Sequence, residues 1–355
     1  MIRARPLVAL LAAGSLAACG APEPAWVPAP PPSVAAPSPS AVPTGPAEVT
    51  LAFAGDVHFT GRTLALLDDP ATAFGQISSV LSAADIAMVN LESAVTTRGT
   101  PERKTFRFRA PASAYTALRA AGVDVASIAN NHTLDYGRVG LADTVAGAVA
   151  AGVPVVGAGA NAAAAYAPWI TTVRGTRVAI LGFSQVAELW QSWRATDAQA
   201  GIAVTRDLSR AVAAVRAVRQ DADVVVVYVH WGVEGQSCPS TEMRTFASEM
   251  AKAGADVVVG THAHLLLGDG WLGQTYVQYG LGNFLWWRND AFSNDTGVLR
   301  VTLRGSSVVR TELVPAVISR RTGQPAVATG SEAERIARKY GNLRRCTKLA
   351  DTPAG

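Results

Sequence analysis

The sequence predicts an α/β protein whose parallel strands carry polar side chains at one shared edge. Two observations predict it. Short valine-rich runs alternate with helical stretches that end in small residues or glycine, which is the pattern of βαβ crossovers and a mostly parallel sheet. Four such runs, Val49 to Ala54, Val123 to Ala129, Val224 to Val229 and Val257 to Gly260, lead directly into turns that hold histidine beside an acid, an amide or a second histidine. Those turns account for all five histidines of the 355-residue chain. Ligands of open α/β sheets bind at the carboxyl ends of the strands, so residues far apart in sequence are expected to meet there.

The chain begins with a basic Met1 to Arg5, an apolar Leu7 to Ala18 too short to span a bilayer, and Leu16-Ala17-Ala18-Cys19-Gly20. This resembles a bacterial lipobox in which Cys19 is lipidated, making residues 1–19 a lipoprotein signal peptide. The alternative is an ordinary secretory leader. Either directs the protein out of the cytoplasm, and lipidation would hold it on the extracytoplasmic face of the cell membrane. Residues 20–47 are dense in Pro, Ala and Ser without hydrophobic period and read as a tether. No later apolar run is long enough for a transmembrane helix.

A folded domain is expected over residues 48–318. Ser82 to Asp85 leads into a strand from Ile86, Ala120 to Gly122 into one from Val123, Ala150 to Gly152 into one from Val153, and Lys252 to Gly254 into one from Ala255. Glycine just past a helix suits the left-handed C-cap. The second half adds strands at Arg177 to Phe183, Thr275 to Tyr279, Gly297 to Arg304 and Ser307 to Pro315, the last two a hairpin through Gly305. These suggest a second, partly antiparallel sheet. Two sheets face to face with helices outside would bury a composition that is 49% hydrophobic and 16% charged. After Ser319 the chain turns polar and basic, and residues 319–355 read as a surface tail with a short helix near Glu332 to Tyr340. Cys238 and Cys346 remain outside the leader, and in an oxidising compartment they are either bridged or free. The formal net charge of +4 falls to about +2 without Arg3 and Arg5, which excludes a general nucleic-acid binder.

The clustered side chains suit metal binding. Asp56 and His58, two positions apart in a strand-end turn, offer a hard oxygen and a borderline nitrogen for Mn, Fe or Zn. Glu92, in Asn90-Leu91-Glu92, has two oxygens able to bridge two metals; the alternative is a helix-start carboxylate. Asn131 offers an amide oxygen. His132 beside it is placed to meet substrate and donate a proton, with Asp135 fixing its tautomer. His230 ends its strand, and His262 and His264 flank Ala263 so that both rings reach one edge. The alternating Arg103-Lys104-Thr105-Phe106-Arg107-Phe108-Arg109 puts cations on one strand face, either for a polyanion or as a charged edge strand. Asn283, in Gly280-Leu281-Gly282-Asn283, lies in a flexible turn near the His262/His264 edge.

The ordered series Asp-x-His, Asn-Leu-Glu, Asn-His, His, His-x-His resembles the calcineurin-like metallophosphoesterases. That resemblance implies a four-layer α/β/β/α sandwich and two divalent metal ions. Asp56, His58 and His264 would hold one ion, Asn131, His230 and His262 the other, Glu92 would take the bridging place and His132 would be catalytic. The sequence departs from that pattern at Asn90-Leu91-Glu92 and at Thr133, where the pattern has an acid, so Asp135 or Glu234 would have to orient His132. With Phe106 to Pro111, Asn130 to Gly137, His230 to Glu234 and Tyr279 to Phe284, those departures resemble the CapA (PgsA) family of poly-γ-glutamate capsule synthesis proteins, over roughly Thr50 to Pro315. The resemblance implies synthesis, export or anchoring of an anionic surface polymer, with polymer synthase or exporter subunits as partners; the residues themselves offer Arg107, Arg109 and Asn283 as candidate substrate contacts. Two other readings share this site: a secreted metal-dependent phosphoesterase without a capsule role, and a non-catalytic assembly subunit.

Overall fold

The computed structural model describes residues 47–354 except 187 and 207. The expectations for the leader, for Cys19 and for nearly all of the tether lie outside the described residues. The core is two sheets packed face to face. In the first, Glu48–Val57 lies at the centre, parallel to Ile86–Leu91, which continues through Val125–Ser127 to Val155–Val156. On its other side it pairs antiparallel with Asp295–Arg304, which is followed by Ser307–Ile318 and Pro325–Val327. In the second sheet Thr176–Ser184, Val224–Trp231, Val257–His262 and Thr275–Gln278 run parallel, and Trp169–Val173 and Asp269–Leu272 close the edges antiparallel.

Side-chain alternation along each strand divides the core into layers. Val49, Leu51 and Phe53 face inward and pack with Ile180, Val226, Tyr228 and Val259 of the opposite sheet. Ala52 and Ala54 face outward with Val89 and Ala126, beneath Leu81, Leu118 and Leu141 of the flanking helices. Val225, Val227 and Val229 cover the outer face of the second sheet with Phe246 and Met250 of helix Thr241–Ala253. Both faces of the central strands are thereby buried, which is why those strands read as continuous apolar runs. The layers are helix, sheet, sheet, helix, the four-layer α/β/β/α sandwich expected. The Tyr228 hydroxyl donates to the Ala54 carbonyl oxygen at 2.5 Å and ties the two sheets together near their functional edge.

One expectation is corrected. The Asp295–Ile318 hairpin belongs to the first sheet, beside Glu48–Val57, and not to the second. Local sequence marks a hairpin, but nothing in it names the third strand that the hairpin joins. The basic segment after Ser319 contributes an edge strand at Pro325–Val327 and a helix at Gly330–Leu343, longer than the short helix expected there. Cys238 and Cys346 form a disulfide, with Cα atoms 5.7 Å apart, that ties the loop after Val224–Trp231 to the chain just past this helix.

Candidate metal centre

The register of the two sheets aligns their carboxyl ends. Asp56 sits opposite Asn90 and Asn283, Asn90 opposite Ser127, and His230 opposite Thr261. At Gly55 the first strand passes so close to Gly282 that an added Cβ would lie 1.9 Å from its carbonyl oxygen. Glycine there lets the Asp56 N–H donate to that same oxygen at 2.9 Å, which fixes the Asp56 carboxylate at the strand end. On the other sheet His262 and His264 both take left-handed backbone conformations, with φ of 85° and 58°. Such conformations cost roughly 1–2 kcal/mol per non-glycine residue and persist where the surroundings enforce them. Here the His262 N–H donates to Asp56 Oδ2 at 3.1 Å, and His264 Nδ1 lies 3.4 Å from the same oxygen.

Two groups of donor atoms result, Asp56 with Glu92 and His230, and Glu92 with His262 and His264; within each group the atoms lie within 4.8 Å of one another. Glu92 is common to both. Around His230 Nε2 converge Asn131 Oδ1 at 2.9 Å, His262 Nδ1 at 3.1 Å and Glu92 Oε1 at 3.7 Å. One imidazole N–H can satisfy only one of these acceptors. Glu92 Oε1 and His264 Nδ1 are buried with no hydrogen-bond partner among the described residues. Facing lone pairs and orphaned acceptors in a closed space are costly without a cation. Burial holds His230 and His262 well below the usual imidazole pKa, with neighbouring histidines acting the same way, so both rings are neutral and able to ligate. Burial also pushes Glu92 well above the usual carboxylate range, reinforced by Asp56, and a divalent ion would reverse that. The donor set therefore fits divalent metal.

His132 stands at the edge of this cluster, its Nε2 3.7 Å from Glu92 Oε1. Its Nδ1 is 2.6 Å from Asp135 Oδ2, which also accepts from the Phe108 N–H at 2.6 Å. The ring stacks on Phe108 with centroids 3.9 Å apart. Burial, with Lys104 nearby, keeps this histidine neutral. The access side is a small cavity of about 140 Å³ lined by His264, Asn283, Glu234, Trp286 and Arg288 among others. Asn283 is buried, and its Oδ1 has no partner among the described residues.

The sequence-predicted residues divide. Asp56, Glu92, Asn131, His132, Asp135, His230, His262 and His264 come together. The grouping differs from the resemblance in placing His230 with Asp56 and His262 with His264. His58 lies outside both donor groups, and its ring is stacked on Phe108 at 4.3 Å and set edge-on to Trp286 at 4.3 Å. The strand register shifts between Asp56 and Val57, so simple i, i+2 alternation fails at this turn. Arg107 and Arg109 face a separate cavity. Sequence reasoning missed Asn90, whose Nδ2 donates to Asp56 Oδ1 at 2.8 Å and Glu92 Oε2 at 3.3 Å. It also missed Lys104, a buried cation joined to Asp135 at 3.1 Å, to Glu188 at 2.9 Å and to the Asn131 carbonyl. The only signal for Lys104 was its place in the basic segment.

The chain is thus a four-layer α/β/β/α sandwich with histidine, carboxylate and amide donors gathered at its shared strand edge. Residues 50–286 match the family described as bacterial capsule synthesis protein PGA_cap, and the chain belongs to that family. It is 30% identical over 311 residues to a probable polyglutamine synthesis accessory protein of Mycobacterium tuberculosis, covering 79% of this chain and 77% of that one. It is 29% identical over 301 residues to a capsule biosynthesis protein CapA of Bacillus anthracis, covering 82% and 72%. A putative 5'-nucleotidase from Staphylococcus aureus superposes with a TM-score of 0.49 at 16% identity, covering 83% of this chain and 58% of that one.

Proposed function

We propose that this protein acts in synthesis, export or anchoring of poly-γ-glutamate or a related anionic surface polymer, through a two-metal hydrolase-type site, while tethered by a lipid on Cys19 to the outer face of the cell membrane. The family match over residues 50–286 supports the polymer. The observation that carries the hydrolytic part is the convergence of Asn131, His262 and Glu92 acceptors on His230 Nε2. Asp56, Glu92, Asn131, His230, His262 and His264 would hold the ions. Divalent metal bound there supplies Lewis acidity toward a phosphoryl or acyl oxygen and lowers the pKa of water.

The remaining work belongs to side chains. Asp135 accepts from Nδ1–H of His132 and fixes the tautomer with its lone pair on Nε2, the nitrogen nearest Glu92. His132 can thus take up a proton at Nε2 and pass it to a leaving oxygen. Phe108 and Trp286 exclude water from one wall. Asn283 offers an unused carbonyl oxygen toward a substrate N–H or O–H. The test is to incubate the full chain with Mn and either poly-γ-glutamate or an aryl phosphodiester. Chain shortening of the polymer, lost in His132→Ala with metal content unchanged, is expected. Phosphodiester cleavage alone would favour a phosphoesterase without a capsule role. No cleavage of either, with capsule output unchanged in a His132→Ala strain, would leave a non-catalytic assembly subunit.

A further inference from the structure

The Phe106–Arg109 segment presents opposite chemistries on its two sides. Phe108 stacks on His58 and His132, and Phe106 packs 6.1 Å from Trp287. Arg107 and Arg109 instead line a cavity of about 500 Å³ with Thr60, Thr97, Leu64 and Tyr136. Both guanidiniums are held by neutral groups. Arg107 Nη1 donates to the carbonyls of Glu102 and Lys104 at 3.2 and 3.0 Å. Arg109 Nη2 donates to the Arg98 carbonyl at 2.9 Å, and its guanidinium lies 3.5 Å over the Tyr136 ring. Neither arginine has a carboxylate within ion-pair distance among the described residues. Arg109 Nε is buried there without an acceptor.

We infer that this cleft is a second binding site, distinct from the metal centre, that seats the carboxylates of an anionic polymer chain while its neighbouring unit reaches His132. Two preoriented guanidiniums without an ion-pair partner among the described residues, on one side of the segment, match carboxylates repeated along a flexible chain. Arginine engages carboxylates through paired N–H donors and keeps its charge at any physiological pH. The Thr60 and Thr97 hydroxyls add neutral donors, and the Leu64 side of the cleft accepts the methylenes between carboxylates. Arg109 directly follows Phe108, which stacks on His132, so a chain bound here is led past the wall of the metal centre. This assignment rests on the polymer reading above for the identity of the ligand.

The test is equilibrium binding of fluorescently labelled poly-γ-glutamate to the full chain, in wild type, in Arg107→Gln/Arg109→Gln, and in Arg321→Gln/Arg345→Gln. The last pair removes the same charge from exposed residues elsewhere. The cleft variant is expected to weaken binding about tenfold and to flatten its salt dependence, with metal content and melting temperature retained and the control near wild type. Equal loss in both double variants would overturn the site in favour of diffuse charge attraction. Unchanged affinity in the cleft variant would overturn it while leaving the polymer reading intact. No polymer binding by the wild type would overturn both. Should the double variant unfold, Arg109→Lys, which keeps the charge and loses the paired donors, is expected to show the same direction of change at lower amplitude, and wild-type affinity in it would overturn the assignment.

Discussion

Lys104 shows what a single buried charge does beside this centre. Its ammonium is held by Asp135, Glu188 and the Asn131 carbonyl, and so joins its own loop to that of Glu188 and to the turn that carries Asn131 and His132. Burial pushes the Asp135 carboxyl up to about 7, with Lys104 pulling the other way. Lys104→Met would leave that carboxylate without its cation, and we expect a loss that reaches about 3 kcal/mol at alkaline pH, the cost of breaking a buried pair. The sign follows from the carboxyl: in the variant its pKa rises further, so at low pH it is protonated and little is lost, whereas the deficit grows as pH climbs past about 7. Urea unfolding of wild type and variant at pH 5 and pH 8 checks this, and equal deficits at both would count against it. The meeting of the histidine turns at one edge was legible because each turn follows the end of a strand. Lys104 and Glu188 were not, because their loops have no periodicity that says where they fold back. The place of the His58 ring was not legible for a related reason, since the strand register breaks beside it and the ring lies in an aromatic stack.

At the level of elements, the C-terminal helix Gly330–Leu343 is fastened by a side chain of the first sheet. Asp295 lies at the start of Asp295–Arg304 and receives Arg335 at 2.6 and 2.8 Å and Lys339 at 2.7 Å. Burial pushes its carboxyl upward, but hydrogen bonds from Arg335 and Lys339 more than offset this and hold it below the usual carboxylate range. The linkage is therefore the ordinary acidic one: the stabilisation is present above pH about 4 and is lost as pH falls through the depressed native value. Because both cations are partly solvated, Asp295→Asn should cost only about 1–2 kcal/mol at pH 7. Its difference from wild type should shrink as pH falls below about 4, as read by thermal melts, and a pH-independent difference would argue against the clamp. A helix around Glu332 to Tyr340 was readable from sequence. Its anchor was not, because Asp295 and Arg335 are distant in sequence and nothing local pairs them.

Across the whole molecule two features tie distant parts together. The Cys238–Cys346 disulfide closes a separation of 108 residues, so Cys346→Ser should lower stability by about 4 kcal/mol in urea unfolding without reductant. Dithiothreitol should reproduce that loss in wild type, and an unchanged midpoint in either case would show that the bridge does not stabilise the fold. The other feature is the shared strand edge, where two sheets deliver Asp56, Glu92, Asn131, His230, His262 and His264 from five separate turns. Alternating helices and valine-rich strands made the layered fold readable, because burial on both faces leaves its mark on every residue of a strand. Strand order was harder, since pairing partners are chosen by the whole chain. That shared edge is tested most directly by elemental analysis and calorimetric titration of the full chain with Mn and Zn. The account predicts stoichiometric binding of up to two ions per chain, with a raised melting temperature, abolished in Asp56→Asn/His264→Ala while the circular dichroism spectrum is retained. Absence of stoichiometric metal in the wild type, with no thermal shift on adding either ion, would contradict it.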